Sequence, residues 1–460
     1  MAPQMTAARD GPRLAFRTRF LWSLGVAIFA AAVGPMIWGA APDKAVSDLY
    51  LRIRGPLPSP SNIVIVGIDD QSFANLQLRW PWPRRLHPEL IGTISSARVI
   101  AFDLLFDTLD PNGDDIAFAR SIASHPNVVL STARIIEDDE HHLLETWLNP
   151  IQLLGNASQL VGSIELPVDA GGVVRRARPK IGGRETLAFL AARQYGGPAI
   201  EIEDAPFDIN FLGPAGTVET IAYHEVLNLP EDSDFDPFRD KLVFVGITSE
   251  IGNDPNRVDR FKTPFSRSGS TTPGVEIHAN VAFNLLSRSA IGQLSPGMAR
   301  PLSALLAFAC GLVFFGFGVG RSALLFVSVT TLVLILGYLL FSGALLHVQV
   351  ATLLLPLCLV FVAGLTVRYY ETEKSEKRSR KLLEDSEARI SEILAAQDNG
   401  RGDSENGIIK VFLSYSHKSE DSSYMAEILE FLKGLQAEGV EFWSDKKIVK
   451  GDMWEREIMR

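Results

Sequence analysis

Thiols are nearly absent from this sequence. Its two cysteines, Cys310 and Cys358, both lie inside apolar runs. The polar stretch of roughly 250 residues ahead of both therefore has none, which excludes a disulfide framework or a thiolate zinc site there. Lys, Arg, Asp and Glu are missing from four windows: Phe20–Ala40, Pro301–Gly320, Ser322–Phe341 and Leu345–Val367. Basic charge is in deficit overall, with 44 Lys and Arg against 54 Asp and Glu and a net charge of -10. That balance argues against a nucleic-acid binder, which needs a basic face to neutralise phosphates. Within the last three windows His347 is the only ionisable side chain. A transporter or proton pump would need such groups at membrane depth.

What is present is length and apolarity. A bilayer span takes about 20 apolar residues, and each uncharged window meets that length. Arg9, Arg13, Arg17 and Arg19 precede the first window, Arg321 separates the second from the third, and Arg368, Lys374, Lys377, Arg378, Arg380 and Lys381 follow the last. If all four windows span, these bases share one side, and the positive-inside rule makes that side cytoplasmic. A multi-pass protein of a bacterial inner membrane is expected, with a cytoplasmic N-terminus at 1–19, spans at 20–40, 301–320, 322–341 and 345–367, and an outward domain at 41–300. A cleaved signal peptide is the competing reading of the first window, because small residues follow at Gly39–Ala41. Gly316, Gly318 and Gly320 read as a row that lets helices approach closely.

In the outward region, Ile63–Ile68 and Val99–Leu105 are β-branched runs ending in acids, with a helical stretch, Leu86–Ser96, between them. A parallel strand, helix, strand unit is the simplest account. Gly162–Leu166 and Val173–Arg178 read as paired stretches around a Gly-rich turn, Asp208–Leu212 and Lys241–Ile247 as further strands, and Val275–Leu286 as a helix. The fold class is α/β: a mixed α/β extracytoplasmic domain, a helical membrane bundle and an incomplete flavodoxin-like module.

Five residues are ligand-binding candidates: Asp69, Asp70, Trp80, Arg84 and Asp103. Acids at strand ends bind cations or shift each other's pKa, although capping of helices and turns needs the same residues. The WPWPR string at Trp80–Arg84 is either a stiff packing corner or an aromatic pocket. His141 and His142 in EDDEHH read as a solvated loop rather than a metal site, and His278 as structural.

The strings IDDQSF (Ile68–Phe73), WPWPR, IAFDLLF (Ile100–Phe106), DAGGVVRR (Asp169–Arg176), KLVFVG (Lys241–Gly246) and PGVEIHAN (Pro273–Asn280) resemble the CHASE-two class of extracellular sensor domains. The resemblance implies sensing of an unnamed ligand ahead of membrane helices and an output module.

After Arg368 the composition turns helix-forming, so 368–397 reads as a linker helix, either solvated or a dimeric coil, and 398–407 as a flexible linker. From Ile408 the pattern is strand, helix, strand, helix. VFLSYSHKSED (Val411–Asp421) and FWSDKKIVKGDMWEREI (Phe442–Ile458) resemble the first two sequence boxes of bacterial Toll and interleukin receptor (TIR) domains. That resemblance implies oligomerising adaptors or NAD-cleaving enzymes, with Ser414, Tyr415, Ser416, Asp445, Lys450 and Gly451 bordering the nucleotide cleft. It places the essential glutamate beyond Arg460, so no catalytic residue is assigned. NAD is a substrate, not a cofactor, and only in a longer chain. Two strands cannot form a doubly covered parallel sheet, so 408–460 reads as a partial domain. The leading expectation is a sensing receptor with homo-oligomeric TIR contacts. A sensor-regulated NAD hydrolase and a non-catalytic membrane anchor are the alternatives.

Overall fold

The computed structural model describes residues 16–38, 41–139, 142–197, 205–230, 236–250, 259–267, 269–398, 409–413 and 440–444. Twelve helices are described: α1 (Phe16–Trp38), α2 (Ala41–Arg54), α3 (Asp70–Leu76), α4 (Leu86–Thr93), α5 (Asp115–Ser124), α6 (Gln152–Ala157), α7 (Leu187–Gly196), α8 (Tyr223–Leu227), α9 (Gly274–Leu286), α10 (Pro296–Phe314), α11 (Val319–Ala344) and α12 (Val350–Asp398). The main sheet has seven strands: β1 (Ile63–Ile68), β2 (Val99–Asp103), β3 (Val128–Asp139), β4 (His142–Leu148), β5 (Val161–Ser163), β6 (Thr220–Ala222) and β7 (Leu242–Ile247).

The chain forms two compact units. The larger, Val26–Phe308 with Leu325–Cys358, contains the sheet. Its order is β6, β1, β7, β2, β3, β4, with β5 also paired to β3. All pairings are parallel except the β3–β4 hairpin.

The reason these strands read as unbroken β-branched runs is that both faces are covered. Side chains alternate across a strand, so Val64, Val66 and Ile68 pack with Leu90, Ile91, Phe118 and Ile122 of α4 and α5. Ile63 and Ile65 face the opposite core, with Leu187 and Ala191 of α7 and Val275, Ala279 and Ala282 of α9. Strands β2 and β7 divide their residues between the same two cores.

β1, α4 and β2 form the expected parallel strand, helix, strand unit, with β7 between the two strands in register Ile63↔Leu242 and Leu242↔Val99. One local expectation is corrected. The expected pairing of 162–166 with 173–178 does not form. Gly162 pairs with Ser131 of β3, and Arg176–Ala177 pairs with Phe207–Asp208 instead. Only a Val168↔Val174 bridge closes the glycine turn.

Helix α9 shows why the PGVEIHAN string looks as it does. Glu276, Asn280 and Asn284 recur every four residues and so share one face. All three are buried, and each satisfies backbone of the segment 210–218. Glu276 accepts from the amides of Gly216 (2.9 Å), Thr217 (2.9 Å) and Val218 (3.2 Å). Asn280 accepts from Leu212 N at 2.8 Å and Asn284 from Asn210 N at 2.7 Å. This stripe replaces a missing ladder strand, since buried amides need partners.

Three helices are long and apolar enough to cross a membrane: Gly297–Phe314 within α10, Val319–Ala344, and Val350–Glu392 within α12. α11 leaves Leu324, Val327, Leu332 and Leu339 exposed, an apolar surface suited to lipid. The last uncharged window does not start a span at Leu345. Leu346–His347 is a short strand pairing with Gly292–Gln293, and the helix begins at Val350. The expected linker helix is not separate either, because α12 runs 49 residues without a break.

The smaller unit comprises Met1–Gly25, Ala309–Leu324 and Leu359–Arg460. In it α1, α10 and α12 approach closely at Gly311, Gly364 and one member of the expected row, Gly316. A Cβ on Gly311 would stand 2.8 Å from Val360 and 2.9 Å from Ser23 Oγ, one on Gly364 would stand 3.1 Å from Phe314, and one on Gly316 would stand 2.5 Å from Arg19 Nη1. Gly316 and Gly318 lie in the turn between α10 and α11, and Gly320 faces open space. The strands Ile409–Leu413 and Val440–Ser444 pair in parallel, Ile409↔Val440 through Leu413↔Ser444.

Candidate functional site

The structure gives each of the five sensor candidates its own set of partners. Asp69 is the N-cap of α3 and accepts the Ser72 amide at 2.7 Å, a helix-capping arrangement. Asp70 accepts the Ser249 hydroxyl just past β7. Trp80 lies half-buried over Phe73 (6.3 Å) and Trp82 (5.7 Å), and Trp82 stacks edge-on to Tyr223 at 5.2 Å. The WPWPR string is thus a packing corner whose second tryptophan enters the core. Arg84 is buried with its guanidinium 4.5 Å from the Phe106 ring, donates to Thr108 O at 2.9 Å, and stands 3.9 Å from Asp115.

Asp103, at the carboxyl end of β2, has partners the sequence did not reveal. Buried and with Oδ2 unpartnered, it lies near half-buried Asp259, and desolvation followed by that second charge pushes its pKa well up. Desolvation also raises Asp259, to about 6, against the opposing pull of Arg260. His278 approaches Asp103 at 3.9 Å, but burial holds its pKa at about 4, so it is neutral at physiological pH and the contact is not an ion pair. His278 Nε2 instead donates to Ile164 O at 3.2 Å. Arg260 braces the same edge, donating to Thr248 O at 2.9 Å and Thr271 O at 2.7 Å. Among the described residues no group of three or more His, Cys, Asp or Glu is arranged to hold a metal.

A second feature joins α2, the DAGGVVRR loop and the entry to α12. There a cavity of 490 Å³ opens, within the range of small-molecule sites. Its walls are charged and mostly internally paired. Arg175 clamps Asp48 through Nε to Oδ1 (2.9 Å) and Nη2 to Oδ2 (2.8 Å), and also donates to Asp169. Lys44 adds a 3.0 Å contact to Asp169. These two cations and the backbone amides of Gly171 and Val173 thus serve that carboxylate and outweigh its desolvation, so its pKa falls to about 2. Asp208 accepts from Arg176 Nε (2.9 Å) and Gln293 Nε2 (2.6 Å) and faces His347 Nδ1 at 3.3 Å. His347, expected at membrane depth, lines this cavity instead.

None of these cavity residues stood among the candidates. The DAGGVVRR string was visible, but its partners Lys44 and Asp48 lie about 125 residues earlier in the chain. The TIR-like candidates Ser414, Tyr415, Ser416, Asp445, Lys450 and Gly451, together with His141, lie outside the described residues.

Residues 23–320 match the CHASE2 domain family, well over half of the chain. The protein belongs to the CHASE2 family. The matched span contains the strands β1, β2 and β7, the α9 stripe and the Asp169–Arg176 loop. Neither a curated protein nor a solved structure matches the chain. A CHASE2 sensor domain followed by helices able to span a membrane is the layout of a sensory receptor.

Proposed function

We propose that this protein is a multi-pass signalling receptor of a bacterial inner membrane. Its CHASE2 domain reads a cue on the outer side and its output is a cytoplasmic TIR-like module. The single observation that carries the reading is α12. The helix begins at Val350 against the sensor, where Asp43 of α2 holds its first amides, and continues 49 residues to Asp398. A continuous helix transmits displacement or rotation from one end to the other, which a flexible linker does not.

Several features support the finer parts. With helix α1 as the fourth span, Arg17 and Arg19 in its first turn, Arg321 and the basic stretch after Arg368 all face the cytoplasm. The parallel pairing of Ile409–Leu413 with Val440–Ser444 across 26 intervening residues fits a strand, helix, strand opening. The motifs VFLSYSHKSED and FWSDKKIVKGDMWEREI supply the TIR likeness on those strands. Signalling then proceeds by homo-oligomeric contact between such modules, and requires the cue to bind two membrane states unequally.

The test joins residues 1–398 to a split adenylate cyclase reporter in bacterial cells. Reporter output that depends on residues 41–300 and shifts when α12 loses its Asp43 contact supports the receptor. Output indifferent to both sinks it. Alkaline phosphatase fusions at 41–300, active only outside the cytoplasm, check the topology.

A further inference from the structure

The cavity at the entry to α12 carries more than a structural network. Its carboxylates are accounted for by partners inside the protein: Asp48 and Asp169 by Arg175 and Lys44, Asp208 by Arg176 and Gln293, and Asp43 by the start of α12. Its cations are not all accounted for. Arg178 and Arg300 line the same cavity, both exposed, and among the described residues neither guanidinium has a hydrogen-bond or ion-pair partner. The cavity wall is partly apolar, from Leu51, Pro167, Val168 and Ile209. His347 adds a buried Nε2 without a partner.

We propose that this cavity is the sensory site, and that it takes a small molecule or lipid headgroup bearing a phosphate or carboxylate, held between Arg178 and Arg300. A guanidinium presents paired N–H donors that match either anion. Two of them, from the sensor loop and from the first turns of α10, make a clamp that closes on one anionic group. Cavity size admits a ligand with an apolar body beside that group.

The placement gives the site its consequence. Arg300 belongs to α10, a helix able to span, and the cavity also touches Gln349 and Thr352 at the head of α12. A ligand drawing Arg300 toward Arg178 therefore acts on two membrane helices. This deepens the receptor reading and rests on it only for the consequence, because binding is measured without any output.

The experiment uses the full chain in phosphatidylcholine nanodiscs. Thermal unfolding and calorimetric titration are run with inorganic phosphate and with citrate, and thermal unfolding is repeated in discs containing phosphatidylglycerol. Because Arg178 and Arg300 are exposed and unpaired, Arg178→Gln and Arg300→Gln are expected to fold with the stability of the parent in plain phosphatidylcholine. A stabilisation by phosphate or citrate that falls at least about tenfold in affinity in either variant assigns a soluble anion. The same variant-dependent stabilisation seen only with phosphatidylglycerol assigns a headgroup. No stabilisation by any of the three probes, or one that both variants keep, overturns the proposal while leaving the reporter test of the receptor unaffected.

Discussion

Asp43 and Thr352 lie 309 residues apart in sequence, yet Asp43 Oδ2 accepts the Thr352 hydroxyl at 2.6 Å while its Oδ1 accepts the Ala351 amide at 2.7 Å. The carboxylate of one helix thus caps the N-terminus of another. Free amides at a helix start need such acceptors, and an anion there also complements the helix dipole.

Replacing Asp43 with Ala should therefore loosen the head of α12. The expected cost is about 1 kcal/mol, the scale of a lost cap. Hydrogen exchange checks it locally: the Ala351 and Thr352 amides should exchange faster in D43A, while amides in β1 and β7 keep their protection. Unchanged exchange at 351 and 352 would mean the cap contributes nothing.

Arg175 serves Asp48 with two nitrogens and Asp169 with the third. Lysine has one compact charge and cannot span both carboxylates. Arg175→Lys should lower stability by roughly 1–2 kcal/mol, given partly buried charge-assisted bonds. A double-mutant cycle with Asp48→Asn should return a coupling of similar size. Additive single losses would show the clamp to be energetically idle.

The Asp103 and Asp259 pair predicts a pH signature. Asp259 holds its proton to about 6 when folded, against 3.8 when unfolded. The folded state therefore binds more protons between those values, so this group adds stability as pH falls and withdraws it as pH rises through about 6. Buried His278 and His87 act oppositely. Their folded values of about 4 and about 3 lie below the unfolded 6.5, so they lose stability as pH falls below 6.5. Comparing wild type with D259N isolates the acid. The variant should melt a few degrees higher at about pH 8 and converge with wild type near pH 4. A melting difference that does not change with pH would exclude ionisation as its cause.

Gly162 sits where a Cβ would meet the backbone of Leu187, at 2.7 Å from its Cα and 2.9 Å from its N. Backbone atoms cannot swing aside as a side-chain tip can, so Gly162→Ala should cost about 1–3 kcal/mol by overpacking. Gly155, in α6, provides the contrast, with its nearest atom 3.9 Å away. Gly155→Ala should be neutral or stabilising, since alanine favours helix. Chemical denaturation of the two variants side by side decides it.

Much of this protein is determined by its sequence alone, because the relevant signals are local. Apolar windows without charge mark the helices able to cross a membrane, since burying an unpaired charge in hydrocarbon is costly. Doubly buried parallel strands read as continuous runs such as Ile63–Ile68 and Leu242–Ile247, since neither face meets water. The Glu276, Asn280 and Asn284 stripe is legible too, once its four-residue period is noticed.

Only the tertiary structure decided which strands are neighbours and which side chains share a site. Nothing near β1 or β2 signals that β7, more than 130 residues beyond β2, lies between them. Asp103 meets Asp259 and His278, Arg175 meets Asp48, and Asp43 meets Thr352, all across long loops. Pairing of charges over such separations depends on where folding brings the chain, and no spacing or periodicity encodes it. The cavity between Arg178 and Arg300 belongs to that second class: its residues are ordinary in the sequence, and they acquire a shared role only by proximity.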